Sequence, residues 1–234
     1  MAHGDDPASM STEVKHLFGR IACRYDLLNR LLSARRDVAW RASALAMLHG
    51  APGTLIDLAC GTFDFGLQAL TAGRARIVHG SDFCQPMLVA GAAKRVGKPL
   101  SASVGDALRL PFADGSGDVV TIAYGWRNVD DPAAALREMR RVLPAGGEVL
   151  ILEFFRPLRW WPRLFYGTFG RLVFPLVGGL VAGDAAAYRY LNDSVQRFLS
   201  VAEAERLLGE CGFAEVRTRS FFGGVSHALV ARAV

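Results

Sequence analysis

The chain has 234 residues, 27 Lys plus Arg against 22 Asp plus Glu, and is 51 % hydrophobic. That composition excludes a disordered polymer, which needs low hydrophobicity and high charge density, and the length suits one α/β domain or one domain plus a small appendage. It also excludes a membrane span: the most apolar stretch, 160–183, is broken by Pro162, Arg163, Arg171 and Pro175, where a span needs about 20 uninterrupted apolar residues.

Residues 1–12 are polar and small and read as a disordered leader; with no apolar signal core, the expected location is cytoplasmic. Residues 13–50 read as a helical lid in which Val14, Leu17, Phe18 and Ile21 share one face, Leu27, Leu28, Leu31 and Leu32 continue the seam, and a further helix runs from Ala39 to Leu48. The pattern then changes. Short apolar runs at 54–58, 77–82, 101–104, 118–123 and 148–153 alternate with helical stretches at 64–72, 85–96 and 132–142. Asp131-Pro132 predicts an N-cap followed by Pro at the first helical position. Ser200 and Glu203 predict a capping box before a helix at 204–210, and Gly212 its C-terminal glycine. Two more strands are expected at 214–221 and 225–231. Strands apolar on both faces, alternating with helices, predict a single domain over 13–234 with a mostly parallel sheet covered by helices on both faces. The rhythm is interrupted once, at 154–197, by an insertion carrying Phe154, Phe155, Trp160, Trp161, Phe165, Tyr166, Phe169, Phe174, Tyr188 and Tyr190. An insertion this long and this aromatic is expected to be partly helical or a lid.

In a parallel sheet, ligands bind beyond the carboxyl ends of the strands. Polar residues gather there: Asp57 to Asp64 after the first strand, Asp82 after the second, Asp106 after the third and Glu153 after the fifth. The first turn, Gly61-Thr62-Phe63-Asp64-Phe65-Gly66, lacks the Gly-x-Gly-x-x-Gly spacing of a dinucleotide site, and Asp64 would repel a phosphate. An acidic turn suits a cationic, phosphate-free nucleoside such as S-adenosylmethionine. Asp82 is placed to accept its ribose hydroxyls and Asp106 its adenine amino group. The four cysteines (Cys23, Cys60, Cys84, Cys211) are far apart, and the five histidines do not cluster, so neither a metal site nor a disulfide framework is expected.

At Asp57-Leu58-Ala59-Cys60-Gly61-Thr62 the chain resembles the class I methyltransferases, in the form used by the ubiquinone/menaquinone biosynthesis C-methyltransferases. Further segments match that family: Arg24-Tyr25-Asp26-Leu27-Leu28-Asn29, Gly105-Asp106-Ala107, Leu110-Pro111-Phe112, Gly125-Trp126-Arg127-Asn128-Val129, Leu152-Glu153-Phe154, Tyr188-Arg189-Tyr190-Leu191 and Ser194-Val195. The resemblance implies a Rossmann-like sheet of seven strands and transfer of a methyl group from S-adenosylmethionine to a ring carbon of a prenylated quinol. It carries Asp57, Gly61, Thr62, Asp82, Phe83, Asp106 and Ala107 over as cofactor-binding residues. Arg127 and Asn128 become the catalytic pair, with Tyr25 covering the methyl donor and Glu153 as a candidate base. Arg127 stays protonated, so it stabilises a phenolate or positions a water instead of accepting the proton.

The chain departs from the family pattern at three positions: Phe63 stands where the family usually has Gly, Ala123 where it commonly has Ser, and Trp126 where it has an aliphatic residue. Phe63 is expected either to crowd the amino-acid end of the cofactor or to redirect the loop, and Trp126 either to pack in the core or to wall the quinol. Two other functions stay open at this point, methylation of another lipophilic phenol and a degenerate member that binds cofactor or lipid without catalysis. Nucleic acid is not expected as a partner, since there is no Asn/Asp-Pro-Pro-Tyr/Phe tetrapeptide. A homodimer is compatible with the sequence.

The charge is unevenly placed. Residues 15–41 carry +5 and 154–183 carry +4, which leaves −4 for the remainder. Basic charge beside clustered aromatics predicts peripheral contact with a membrane surface through 154–183.

Overall fold

The computed structural model describes residues 15–20, 22–33, 35–49, 53–164, 166–168 and 185–234. The expected leader at 1–12 and the middle of the insertion, 169–184, lie outside them.

Seven strands form one sheet: β1 (Thr54–Leu58), β2 (Ile77–Asp82), β3 (Leu100–Val104), β4 (Val119–Ala123), β5 (Glu148–Glu153), β6 (Phe213–Phe221) and β7 (Ser226–Ala233). Their order is β3-β2-β1-β4-β5-β7-β6, parallel from β3 to β5 and antiparallel where β7 joins β5 and β6 joins β7. The helices are α1 (Tyr25–Leu32), α2 (Arg36–Leu45), α3 (Asp64–Thr71), α4 (Gln85–Ala90), α5 (Pro132–Val142), α6 (Ala185–Arg197) and α7 (Val201–Glu210).

The period-two alternation of a strand sorts the core into two layers. Ile56, Leu58, Val120, Ile122 and Ile151 pack against Leu136 and Met139 of α5 and Leu208 of α7. Leu55, Val78, Val119, Leu150 and Leu152 pack on the other face, with Ala44 and Leu45 of α2 and Phe65 and Ala69 of α3. Both faces are therefore covered, which is why the strands read as continuous apolar runs. Trp126 belongs to the first layer. It is completely buried, edge-on to Phe198 at 5.3 Å, and its ring N–H donates to the Pro132 carbonyl at 3.2 Å.

The capping expectations are met: Asp131 Oδ1 accepts from the Ala134 N–H, and Ser200 with Glu203 forms a reciprocal capping box. The further helix expected at Ala39 to Leu48 is present with shifted bounds: α2 runs Arg36–Leu45, entered through Arg35, whose φ of 62° turns the chain left-handed. The helix expected over 85–96 ends at Ala90 and continues as a 3₁₀ turn, Ala92–Arg95. Gly91 marks the break, because a Cβ there would lie 2.8 Å from the Thr62 backbone. Close approach to the first turn, which periodicity does not register, decides this boundary.

Candidate active site

β1 and β4 are neighbours, yet the chain leaves them towards opposite sides of the sheet, so a crevice opens at their carboxyl ends. A cleft of about 180 Å³, partly open to solvent, lies there. Its walls are the Gly61 turn, Asp82-Phe83-Cys84 after β2, Gly105-Asp106-Ala107 after β3, and Ala123 to Gly125 with Asn128 to Asp130 after β4. Phe18 and Tyr25 close it from the lid. The strand ends are strained: Ala59 and Tyr124 both line the cleft with positive φ, 47° and 59°. Strain of this kind costs on the order of 1–3 kcal/mol per residue and gathers at functional sites. Gly125 is required by the same crowding, since a Cβ on it would lie 2.4 Å from that of Ala59.

The acidic residues divide by role. Asp82 accepts from the backbone N–H of Gly61 and of Cys84, each at 2.8 Å. A carboxylate has about four acceptor positions, so about two remain for a ligand. Burial raises its pKa above the usual carboxylate range, and the two N–H donors act against that shift. Asp106, which is exposed, accepts from the Leu108 N–H at 2.9 Å and lies at the cleft wall. Asp57 is not among the lining residues. It is 1 % exposed, beneath the first turn, and accepts from Thr121 Oγ1 at 2.7 Å and the Gly66 N–H at 3.2 Å. Burial pushes its pKa up to about 7. The carboxylate thus joins β1, β4 and the start of α3, and acts on the cleft through the shape of that turn. Thr62 is also turned away from the cleft, donating to Asp26 Oδ1 at 2.6 Å and so fastening the turn to α1.

Phe63 is not among the residues that line the cleft. It adopts a left-handed conformation, φ 70°, as the residue preceding α3, and its ring is 1 % exposed in the second core layer. A Cβ on Gly91 would meet the ring at 2.8 Å, so this glycine leaves the space it fills. Trp126, in the core, is not a wall of the cleft.

Behind the far end of the cleft, the 3₁₀ turn Trp126–Asn128 holds the Arg-Asn pair. Arg127 Nη1 donates to Glu153 Oε1 at 2.7 Å and to the Tyr124 carbonyl at 2.6 Å, and Nε donates to Ser194 Oγ at 3.3 Å. Glu153, completely buried, also accepts the N–H groups of Arg127 at 3.2 Å and Phe154 at 2.7 Å. Three of these bonds end on the Glu153 carboxylate, so it reads as the anchor of Arg127. Burial opposes the charge on Arg127 and the adjacent Glu153 restores it, with the balance raising the guanidinium pKa further. Nη2 has no hydrogen-bond partner among the described residues, which leaves it available to an acceptor oxygen. Asn128 Oδ1 accepts from the Tyr190 hydroxyl at 3.1 Å, leaving its amide donors for the cleft that it lines. Tyr25 is held protonated by burial.

Seven of the eleven residues expected at the site line the cleft: Tyr25, Gly61, Asp82, Phe83, Asp106, Ala107 and Asn128. Asp57, Thr62, Arg127 and Glu153 stand behind it. Tyr124, Ser81 and Asp130 line it without having been singled out. The pair formed by Tyr190 and Ser194 buttresses the Arg-Asn turn from 62 and 67 residues away. Their only sequence signal was membership of the motifs near the end of the insertion.

The wall carries three carboxylates, Asp82, Asp106 and Asp130, and no Lys or Arg among the described residues that form it. A sulfonium nucleoside without phosphate fits that donor set, as does the buried, unpartnered Ser81 Oγ beside Asp82. A family model described as the ubiE/COQ5 methyltransferase family matches residues 7–231. The chain belongs to the ubiE/COQ5 methyltransferase family. It is an S-adenosylmethionine-dependent methyltransferase. A demethylmenaquinone methyltransferase of Thermus thermophilus is 42 % identical over 200 residues, covering 84 % of this chain and 91 % of that one. The ubiquinone/menaquinone biosynthesis C-methyltransferase of Geotalea uraniireducens is 38 % identical over 224 residues, covering 93 % and 95 %. The fold is shared with a SAM-dependent methyltransferase of Thermotoga maritima, at TM-score 0.67 and 18 % identity, covering 94 % of this chain and 99 % of that one.

Proposed function

We propose that this methyltransferase transfers the methyl group to a ring carbon of a demethylmenaquinol-type prenylated quinol. The observation that carries the reading is the Arg127–Asn128 turn: a fixed cation and an amide, both with donors unspent, at the end of an acidic cleft suited to the methyl donor. S-adenosylmethionine supplies an electrophilic methyl on a sulfonium. The chain contributes binding, orientation and charge placement. Asp82 receives the ribose hydroxyls, Asp106 the adenine amino group, and the backbone at Gly61 the amino-acid end; Phe83 and Ala107 flank the base. Asp57 and Thr62 keep the Gly61 turn in shape. Tyr25 covers the donor from the lid. For the acceptor, a ring carbon becomes nucleophilic when its neighbouring hydroxyl ionises. Arg127 Nη2 and the Asn128 amide stabilise that oxygen as charge develops, a preorganised electrostatic effect, and the proton leaves to water. In-line placement of the carbon against the methyl supplies much of the rest.

The prenyl tail sets a further requirement. No helix among the described residues is long and apolar enough to cross a membrane. The basic, aromatic sequence of 154–183 supports a peripheral encounter with the lipid substrate at a membrane surface.

The deciding experiment pairs calorimetry with product analysis, using S-adenosylmethionine and a panel of short-tailed demethylquinols. The wild type is expected to give a ring-methylated quinol identified by mass spectrometry. Arg127→Ala is expected to bind the cofactor as well as the wild type and to lose turnover. Equal loss of both would overturn the role given to Arg127, and no product from any quinol would overturn the substrate.

A further inference from the structure

Three segments distant in sequence converge on one exposed apolar surface. Residues 158–164 contribute Leu158, Trp160, Trp161 and Leu164, exposed by 64 %, 75 %, 41 % and 49 %. The turn between β6 and β7 contributes Phe222, 6.4 Å from Trp161 in an edge contact. The start of α2 contributes Arg36, whose guanidinium lies over the Phe222 ring at 4.6 Å. Large exposed aromatics are uncommon on a monomer surface unless something covers them.

The position of this surface follows from strand register. Phe221 pairs with Ser226, and Glu153 of β5 pairs with His227. The 222–225 turn therefore lies at the carboxyl edge of the parallel strands, the edge at which the cleft opens. Its charge is of one sign. Arg36, Arg159 and Arg163 are exposed, and neither 154–164 nor 219–226 contains an Asp or Glu. Aromatic rings that sit at headgroup depth, ringed by cations, match an anionic bilayer surface.

We propose that Leu158, Trp160, Trp161, Leu164 and Phe222, with Arg36, Arg159 and Arg163, form a docking face for an anionic lipid bilayer. The inference rests on the reading of a prenylated acceptor and goes further, since it joins the β6–β7 turn and α2 to the insertion and sets the orientation of the enzyme. Docked on this face, the protein turns the cleft edge towards the membrane, and the quinol ring enters while the tail stays among the lipids.

The test is sedimentation with phosphatidylcholine vesicles, with and without phosphatidylglycerol, alongside turnover of a short-tailed, water-soluble demethylquinol. The wild type is expected to bind the anionic vesicles and to be released by salt. Arg159→Glu/Arg163→Glu is expected to weaken binding by on the order of fivefold or more for each arginine. Leu158→Ser/Trp160→Ser, at the most exposed positions, is expected to abolish binding. Both variants are expected to keep turnover of the soluble quinol, which also reports that they fold. Wild-type affinity for vesicles in both variants would overturn the face. So would a wild-type dimer in light scattering that these substitutions split while vesicles are ignored. Vesicle binding without turnover of any quinol would leave the face standing and overturn the substrate reading.

Discussion

Arg127 and Glu153, exposed by 6 % and 0 %, stand behind the cleft as a pair joined at 2.7 Å. On the lid side, Asp26, Arg30, Asp64 and Lys94 are exposed by 35 %, 29 %, 18 % and 32 % and share partners across three elements. Lys94 bridges Asp26 of α1 and Asp64 of α3, while Arg30 and Arg41 converge on both Asp64 and Asp37. A buried pair costs a large desolvation penalty and persists only when each charge is matched and hydrogen-bonded. The lid-side network has Arg41 and Asp37 buried at its centre, at 7 % and 6 % exposure, and a rim of Asp26, Arg30 and Lys94 about a third exposed, whose bonds are weakened by water and screened by salt. One cluster fixes the Arg127 guanidinium behind the cleft, and the other ties α1 and α2 to the start of α3.

The sharpest way to break this contrast is Glu153→Gln. It leaves the Arg127 charge buried without a counter-charge and is expected to cost about 3–5 kcal/mol of folding stability, read from denaturant melts. A loss below about 1 kcal/mol would place the pair with ordinary surface bridges. Next in size is the double variant Arg127→Met/Glu153→Leu. Replacing both charges by apolar groups is expected to restore stability to within about 2 kcal/mol of wild type, while turnover stays lost and cofactor binding survives, which separates the framing from the chemistry. On the lid side, Lys94→Met is expected to weaken S-adenosylmethionine binding by no more than about fivefold at low salt, in line with about 1 kcal/mol for a part-exposed pair. The difference from wild type should close as salt rises, and the melt should barely move.

The smallest effect concerns pH. Burial raises the Asp64 carboxyl, but the hydrogen bond and charge of Lys94, then Arg41 and Arg30, outweigh it and hold its pKa below 3.8. A carboxyl lowered on folding stabilises the folded state above its unfolded value and loses that contribution as pH falls through the folded one. The lid network is thus intact throughout the neutral range, and cofactor dissociation rates should be flat there and rise only in acid. A rate change near neutrality would point to a different latch.

Most of the fold was legible because strands covered on both faces leave continuous apolar runs and helix ends carry their own caps, as at Asp131 and Ser200. The edge of the sheet at which the site lies was legible for the same reason. Depth was not. Asp57 and Asp82 both stand at strand ends, yet Asp57 faces Thr121 across the β1–β4 register and is consumed there, whereas Asp82 faces the cleft. That distinction depends on a strand 64 residues away. The bond from Tyr190 to Asn128 is equally non-local, and no spacing within either segment announces it.

Phe63 shows how such packing sets the tolerance of neighbouring positions. Gly91 has to lack a side chain because the Thr62 backbone passes within 2.8 Å of where its Cβ would be, and Phe63 merely occupies the vacancy. Gly91 is therefore required whichever residue stands at 63. A Cβ at 80 would meet Cys60 Sγ at 2.8 Å and the Phe63 ring only at an ordinary 3.5 Å, so the cysteine limits that position, while 91 is closed to any side chain with or without the ring. The tolerance of the turn is thus asymmetric: position 63 accepts a large residue and position 91 accepts none.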